Sequence, residues 1–565
     1  MQRVYLLLVC WSIAGIFSTS PEASEPTKNP CYQAQDDDLP PEKDLGKLMP
    51  ETLLASYLRV DTTNPPGCEG KAARFWKKFF DRYAIESEII PLPFGNDRAN
   101  IIAKVRGTAS GQRPIVLLNH MDVVPAEPSR WRDPPFAGVI RGGLIFGRGT
   151  FDMKATAVYQ ALMLAKAKTE TWKMHRDLIF LGTANEEGPF DPSQGVISGA
   201  EWMLKYRFED LNHAEYVITE GGYIPTQKGR PVRWEVSPGE KARLEVTFKV
   251  SDDVADPSAQ RLVVAQAVAS LWSSFKPKAV EPLPRQKQKT MQDPILRAES
   301  HTTHALTTLG GVGKGNTIAG QALSRLILRG FPKTTSQSQI ISSIRKQLPQ
   351  RVVVADAEWK NNDLYMTLKS RGDAGHASLP PLDGGAGVIL AQAVLELERA
   401  VKARKTPAVS LEVQSFAAIS DEATPETTEF VFDFRLLPGD SRDAVLAQVG
   451  QLMLGRPLKF KVTDEPVIAD ASPINTPLLE AIKRANVMVH PKQKSRPPVE
   501  TPILNSTTDA AYFRQRGMIV YGFEPIMLDP NNEHSHGDNE HISVASMRFA
   551  TRVTELYLKD FLGRR

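Results

Sequence analysis

The chain has 565 residues, too many for one ordinary core, so two or three domains are expected. Hydrophobic residues make up 41% and charged residues 24%, the balance of a soluble globular protein. The net charge of +4 comes from 69 basic against 65 acidic residues with no long basic stripe, which argues against nucleic acid as a partner.

Arg3 precedes an apolar run from Val4 to Phe17, followed by small and polar residues from Ser18 to Ser24. The run is short for a bilayer span, so residues 1–24 read as a secretory signal peptide in preference to a retained anchor. That predicts a secreted or periplasmic protein with no stable membrane span after processing. Residues 25–45 read as a mobile leader. Loss of the signal removes Cys10 and leaves Cys31 and Cys68, which form either one disulfide or two buried thiols.

From residue 46 the pattern alternates helix and strand. Helices are predicted at Pro50–Leu58, Ala72–Tyr83 and Ala155–Lys168. Strands are predicted at Asn100–Val105, Ile115–Leu118, Leu178–Thr183, Tyr216–Thr219 and Met518–Gly522. This order predicts a mainly parallel sheet with helices on both faces, formed by residues 46–239 and 467–565. The stretch between them reads as strand, helix, two strands, helix, strand, and then repeats that order. It is expected to be two split βαβ units in tandem, at 240–359 and 360–466.

In open parallel sheets, sites collect beyond the carboxyl ends of strands. The predicted strand at 115–118 runs into His120-Met121-Asp122, where alternation lets His120 face a metal while Asp122 approaches its other nitrogen. Gly147-Arg148-Gly149 leads to Asp152, either a helix cap or a bridging ligand. Two adjacent carboxylates, Glu186 and Glu187, end the strand at 178–183; such a pair suits a metal ligand beside a general base, or else a charged loop. Glu220 ends the strand at 216–219, and His536 lies in a histidine-rich loop near the C-terminus. Each signal is modest alone. The ordered set is the mixed nitrogen–oxygen sphere that zinc favours in catalytic sites.

These motifs resemble the co-catalytic dizinc exopeptidases, the family of aminoacylase, carboxypeptidase G, carnosine dipeptidase and carboxypeptidase S. They run from His120-Met121-Asp122-Val123-Val124-Pro125 through Gly147-Arg148-Gly149, Asp152-Met153-Lys154 and Glu186-Glu187 to His536-Gly537 and Asn539-Glu540. The carboxypeptidase S and N-acyl-amino-acid hydrolase branch is the most similar. The resemblance implies an α/β, three-layer catalytic domain with an inserted α+β, ferredoxin-like lid, here duplicated. It implies two Zn²⁺ ions, with Co²⁺ or Mn²⁺ as substitutes, bridged by Asp152. His120 and Glu220 would complete one metal, Glu187 and His536 the other; Asp122 would orient His120, and Glu186 would be the base. A cis peptide after Asp152 is also implied.

In the lid, the resemblance assigns His376 of Gly375-His376-Ala377-Ser378-Leu379-Pro380 to the oxyanion, and Asn316 and Arg329 to the substrate carboxylate. Family members pair their lids in a homodimer, so a second unit that imitates the partner's lid predicts a competent monomer. The expected reaction is hydrolysis of an amide beside a free carboxylate, in a small peptide or an N-acyl amino acid. A dipeptidase is the nearest rival, and a metal- or peptide-binding protein on a dead scaffold the more distant one; retention of Glu186 argues against the latter.

Overall fold

Five predicted strands lie side by side in a six-stranded sheet in the computed structural model, which describes Cys31 and residues 39–564 outside the segments 109–110, 192–193, 276–302, 310–316, 319–320, 330, 332–335, 361–362, 373–374, 377–384, 404–409, 419–427, 493–495 and 531–534. The signal-peptide expectation, most of the leader, and Asn316 lie outside the described residues. Among the described residues, no helix is long and apolar enough to cross a membrane.

The sheet order is Glu86–Pro91, Ala99–Val105, Leu178–Thr183, Ile115–His120, Tyr216–Thr219, Ile519–Gly522. The last four are mutually parallel, and the first two add antiparallel at one edge. Ile115–His120 and Leu178–Thr183 are buried along their whole length, as central strands covered on both faces must be. The helices Pro50–Leu58, Glu69–Arg82, Ala155–Thr169, Pro477–Val489 and Val544–Leu562 pack on one face. Gly199–Tyr206 and Ala510–Gln515 cover the other, giving three layers. Trp76 sits at the centre of the larger core, with Tyr57, Phe75 and Phe79 edge-on to it at 4.6, 5.1 and 5.7 Å. Cys31 and Cys68 form a disulfide, Cα atoms 5.1 Å apart, which ties the leader to the start of the Glu69–Arg82 helix.

Between Ala242 and Asp464 the strands form two further four-stranded antiparallel sheets, the expected α+β lid. Their composition corrects the tandem division at 359/360. One sheet orders Thr303–Leu309, Glu429–Leu436, Ala242–Val250 and Leu458–Asp464. The other orders Val352–Lys360, Asp363–Arg371, Gln321–Arg329 and Ser410–Ala418. Each sheet therefore takes two strands from each expected unit. Residues 321–418 make one complete strand–helix–strand–strand–helix–strand unit, nested inside another built from 242–309 and 429–464. The two units share an apolar core that includes Leu244, Phe248 and Phe432 from one and Leu326, Leu368 and Val394 from the other. When the same element order occurs twice, local pattern cannot choose between partners, and burial of this shared core makes the choice.

The pairing makes a direct test possible. Lys249 and Lys459 are exposed and directly opposed across neighbouring antiparallel strands, whereas a tandem lid would put them in different sheets. Opposed Cα atoms lie about 4.5–5.5 Å apart, inside disulfide range. The Lys249→Cys, Lys459→Cys double variant is expected to cross-link under mild oxidation, seen as one disulfide-linked peptide pair by non-reducing mass mapping. A tandem lid would leave both thiols free.

Candidate active site

Three of the four parallel strands lead at their carboxyl ends into functional groups, His120, the Glu186-Glu187 pair and Glu220, and these meet around Asp152. His120 is the last residue of its strand and is 2% exposed. Its Nδ1 lies 3.0 Å from the Asp122 carbonyl oxygen and 3.6 Å from the Asp122 carboxylate. A carbonyl can only accept, so Nδ1 carries a hydrogen, and Nε2 is the nitrogen turned to the site. That Nε2 is 3.0 Å from Asp152 Oδ1 and 3.8 Å from Glu220 Oε2. On the other side, His536 Nε2 is 3.1 Å from both Asp152 Oδ2 and Glu187 Oε1. Asp152 thus has one oxygen on each histidine, with one further carboxylate on either side.

The Asp152 turn is held from the far end of the chain. The buried Glu540 carboxylate accepts from Arg148 Nη1 at 2.8 Å, and from the backbone amides of Gly149, Phe151 and Asp152 at 2.8, 2.7 and 3.1 Å. The Asp152–Met153 peptide is cis, and Gly149 has φ 84° with Val123 and Lys154 packed around it, a position where a side chain would not fit. The Glu186-Glu187 turn hangs on Asp122, whose two carboxylate oxygens accept from the amides of Glu186 and Glu187, each at 3.1 Å.

Burial alone would lower both imidazoles, yet the surrounding carboxylates lift His120 well above its usual range and His536 to about 11. Burial lifts Glu186 and Glu220 far above ordinary carboxylates; the charge of Glu220 adds to the rise of Glu186, and that of Asp152 to the rise of Glu220. Asp152 moves the other way: burial would raise it, but His120 and His536 hold it well below. Four carboxylates facing two imidazole nitrogens form a site short of positive charge. Two groupings, His120 with Glu186 and Glu220, and His120 with Asp152 and Glu187, have donor atoms within 4.8 Å of one another. Two ligands on a tetrahedral ion with bonds of about 2.0–2.1 Å lie roughly 3.3 Å apart, so the 3.0–3.8 Å nitrogen–oxygen spacings suit divalent cations on either side of Asp152.

The site opens into a cleft of about 990 Å³ lined by Asp152, Glu186, Glu187, Glu220 and His536 from the catalytic domain and by Arg243, Glu245, Arg435 and Asp464 from the lid. Arg435 is buried; Asp433 grips it side-on, Nε to Oδ1 at 2.7 Å and Nη2 to Oδ2 at 3.0 Å, and its Nη1 reaches Thr507 Oγ1 at 3.3 Å. Arg243 stands opposite it on the neighbouring strand and shares Asp433 at 2.9 Å. Arg329, expected here, is instead at the end of a strand in the nested sheet, paired with Asp363 at 3.0 Å, and is not among the cleft-lining residues. The exchange of strands explains this: it sends the strand of Arg329 to the nested sheet and brings that of Arg435 over the site. The Asp433-x-Arg435 pair, on a strand otherwise apolar after Glu429, is the available signal. The backbone of Gly375–His376 pairs with Thr317–Ile318, Thr317 opposite His376.

Comparisons with known proteins agree with this geometry. A probable succinyl-diaminopimelate desuccinylase of Staphylococcus aureus is 34% identical over 136 residues, 24% of this chain and 32% of its own, so the match spans about a third of that relative. The human N-fatty-acyl-amino acid synthase/hydrolase PM20D1 is 23% identical over 463 residues, 80% of this chain and 74% of its own. Among solved structures, the metallo-carboxypeptidase Sso-CP2 of Sulfolobus solfataricus superposes with a TM-score of 0.52 at 15% identity, covering 90% of this chain and 98% of that one. Human carnosine dipeptidase 1 gives 0.51 at 15%, covering 90% and 95%. The family model for peptidase family M20/M25/M40 matches residues 116–560, and the chain belongs to that family.

Proposed function

We propose that the chain is a secreted or periplasmic amidohydrolase that cuts the amide bond next to a free C-terminal carboxylate, in N-acyl amino acids or small peptides. The observation that carries this reading is Asp152 set between two histidines, with Glu186 beside them and Arg435 across the same cleft. His120, Asp152 and Glu220 would hold one zinc ion, and His536, Asp152 and Glu187 the other; cobalt or manganese could replace zinc. Two divalent ions bound there would polarise the scissile carbonyl and acidify water.

The chain's own groups do the rest. Glu186, held in a half-buried, carboxylate-rich position, takes the proton from the attacking water and passes it to the leaving nitrogen. Asp122 fixes the orientation of His120. Arg435, pre-set by Asp433, receives the substrate carboxylate in the role first expected of Arg329. Pro189, Phe190, Ile197, Leu204 and Val462 give the cleft an apolar wall suited to an acyl chain or an apolar side chain. His376 supplies the oxyanion donor from within the same chain, so a monomer is competent.

A dipeptidase needs an acidic anchor for a free amine. The acids on the cleft wall beyond the metal site are already engaged: Glu245 and Asp464 with Arg243, Glu465 with Arg442, Asp509 with Ser198 and Thr183, and Glu201 with Tyr512. That favours blocked substrates. An extracytoplasmic site of action is supported by the Cys31–Cys68 disulfide, since such bonds persist in oxidising compartments.

The test is mass-spectrometric product detection with N-acyl amino acids, longer peptides and free-amine dipeptides. Chelator-sensitive cleavage of blocked substrates is expected; turnover confined to dipeptides would replace the reading with a dipeptidase. Glu186→Gln should lower kcat by about 10²–10⁴-fold while retaining bound metal, measured by steady-state kinetics and elemental analysis. Arg435→Lys should lower kcat/KM by roughly 10-fold or more, because an ammonium cannot reproduce the planar fork, while Arg329→Lys should stay within about 2-fold.

A further inference from the structure

Beneath Asp122 lies a buried polar network that supplies no metal ligand. Glu69, the first residue of its helix, is fully buried and forms an ion pair with the buried Arg98 at 2.7 Å. Removing two charges from water costs several kcal/mol per ion, so such a pair needs a compensating set of bonds. Here the bonds converge on the catalytic turn. Glu69 Oε1 also accepts from the backbone amide of Asn185 at 3.1 Å, and Asn185 is held at φ 58°, the left-handed region. Arg98 donates to Asn185 Oδ1 at 2.9 Å and to Asn64 Oδ1 at 2.7 Å. The Asn64 amide then donates to Asn185 Oδ1 at 2.9 Å and to Asp122 Oδ2 at 2.8 Å. Asp122 is the residue that carries the amides of Glu186 and Glu187 and orients His120.

We propose that Glu69, Arg98 and Asn64 are positioning residues that set the Asn185–Glu187 turn and the Asp122 carboxylate, and through them the metal affinity and the placement of the base. The network joins three separate parts of the chain: the Asp61–Gly67 loop with the helix start after it, the strand entry at Arg98, and the turn after Thr183. Among the described residues, its route to the reacting atoms runs through Asp122 and the backbone of the turn. Loss of a member therefore displaces Glu186 and loosens His120 without removing either. The role in turnover rests on the hydrolase reading above; the role in metal binding does not.

The experiment uses the full mature chain, with zinc itself as the probe, in Glu69→Gln and separately in Asn64→Ala. Zinc affinity is measured by chelator competition, and metal-free stability by thermal melting. The expected result is an apparent zinc Kd about 10–100-fold weaker in both variants, as for other groups that orient metal ligands. At saturating zinc, kcat should fall by about 10-fold or more with KM within about 2-fold. Unchanged zinc affinity in a folded variant, even one whose metal-free Tm has dropped, would reduce the network to packing and overturn the proposal. If Glu69→Gln does not fold, Asn64→Ala decides alone. If the parent chain hydrolyses no amide, the hydrolase reading fails, and the zinc measurement still decides this one.

Discussion

Like-charge repulsion at Asp152 is the constraint on which the rest of this structure depends. Asp152, Glu186, Glu187 and Glu220 crowd around two imidazoles in a half-buried site, where the Coulomb cost of like charges is far higher than in water. Such a cluster persists only if the backbone forces it together and cations can be recruited to relieve it. The fold supplies the force: four parallel strands end at one level, and three of them pass straight into loops that bear these groups. Glu540 clamps the Asp152 turn with four bonds, and Asp122 clamps the Glu186–Glu187 turn with two. Both clamps are buried carboxylates satisfied by N–H groups, the arrangement that offsets much of the cost of burying a charge.

The lid extends the same logic across the cleft. Register places Arg243 opposite Arg435 and Glu245 opposite Asp433, so one end of the sheet carries alternating charges toward the site. Asp433 grips Arg435 side-on, which leaves the orientation of the guanidinium plane set before any substrate arrives. Nesting one unit inside the other joins the strand of Arg435 to that of Arg243 in a single sheet, and a shared apolar core ties that sheet to its neighbour.

How much of this was legible in the chain follows from how local each signal is. His120, Asp122, Asp152, Glu186, Glu187, Glu220 and His536 stand at or just beyond strand ends or in a distinctive loop, so residue type and strand pattern together mark them, and the structure brings all seven together. The division of the lid was not legible, because two equal runs of strand, helix, two strands, helix, strand permit either tandem or exchanged pairing. Arg329 is marked by its spacing from Asn316 in the family pattern, but which arginine faces the site depends on strand exchange between distant segments, which that spacing does not carry. Glu69 and Arg98 carried no signal at all; a glutamate at a helix start and an arginine before a strand are ordinary until tertiary structure buries them together. The edge strand Glu86–Pro91 was missed too, and its mostly exposed pattern explains why.

The most direct test of the account is a crystal of the zinc-loaded chain, with anomalous scattering measured at the zinc absorption edge. Two peaks should flank Asp152, one between His120 and Glu220 and the other between His536 and Glu187, each within bonding distance of one Asp152 oxygen. A single peak, or zinc held away from Asp152, would contradict the claim that this carboxylate bridges two ions and that the fold is organised around it.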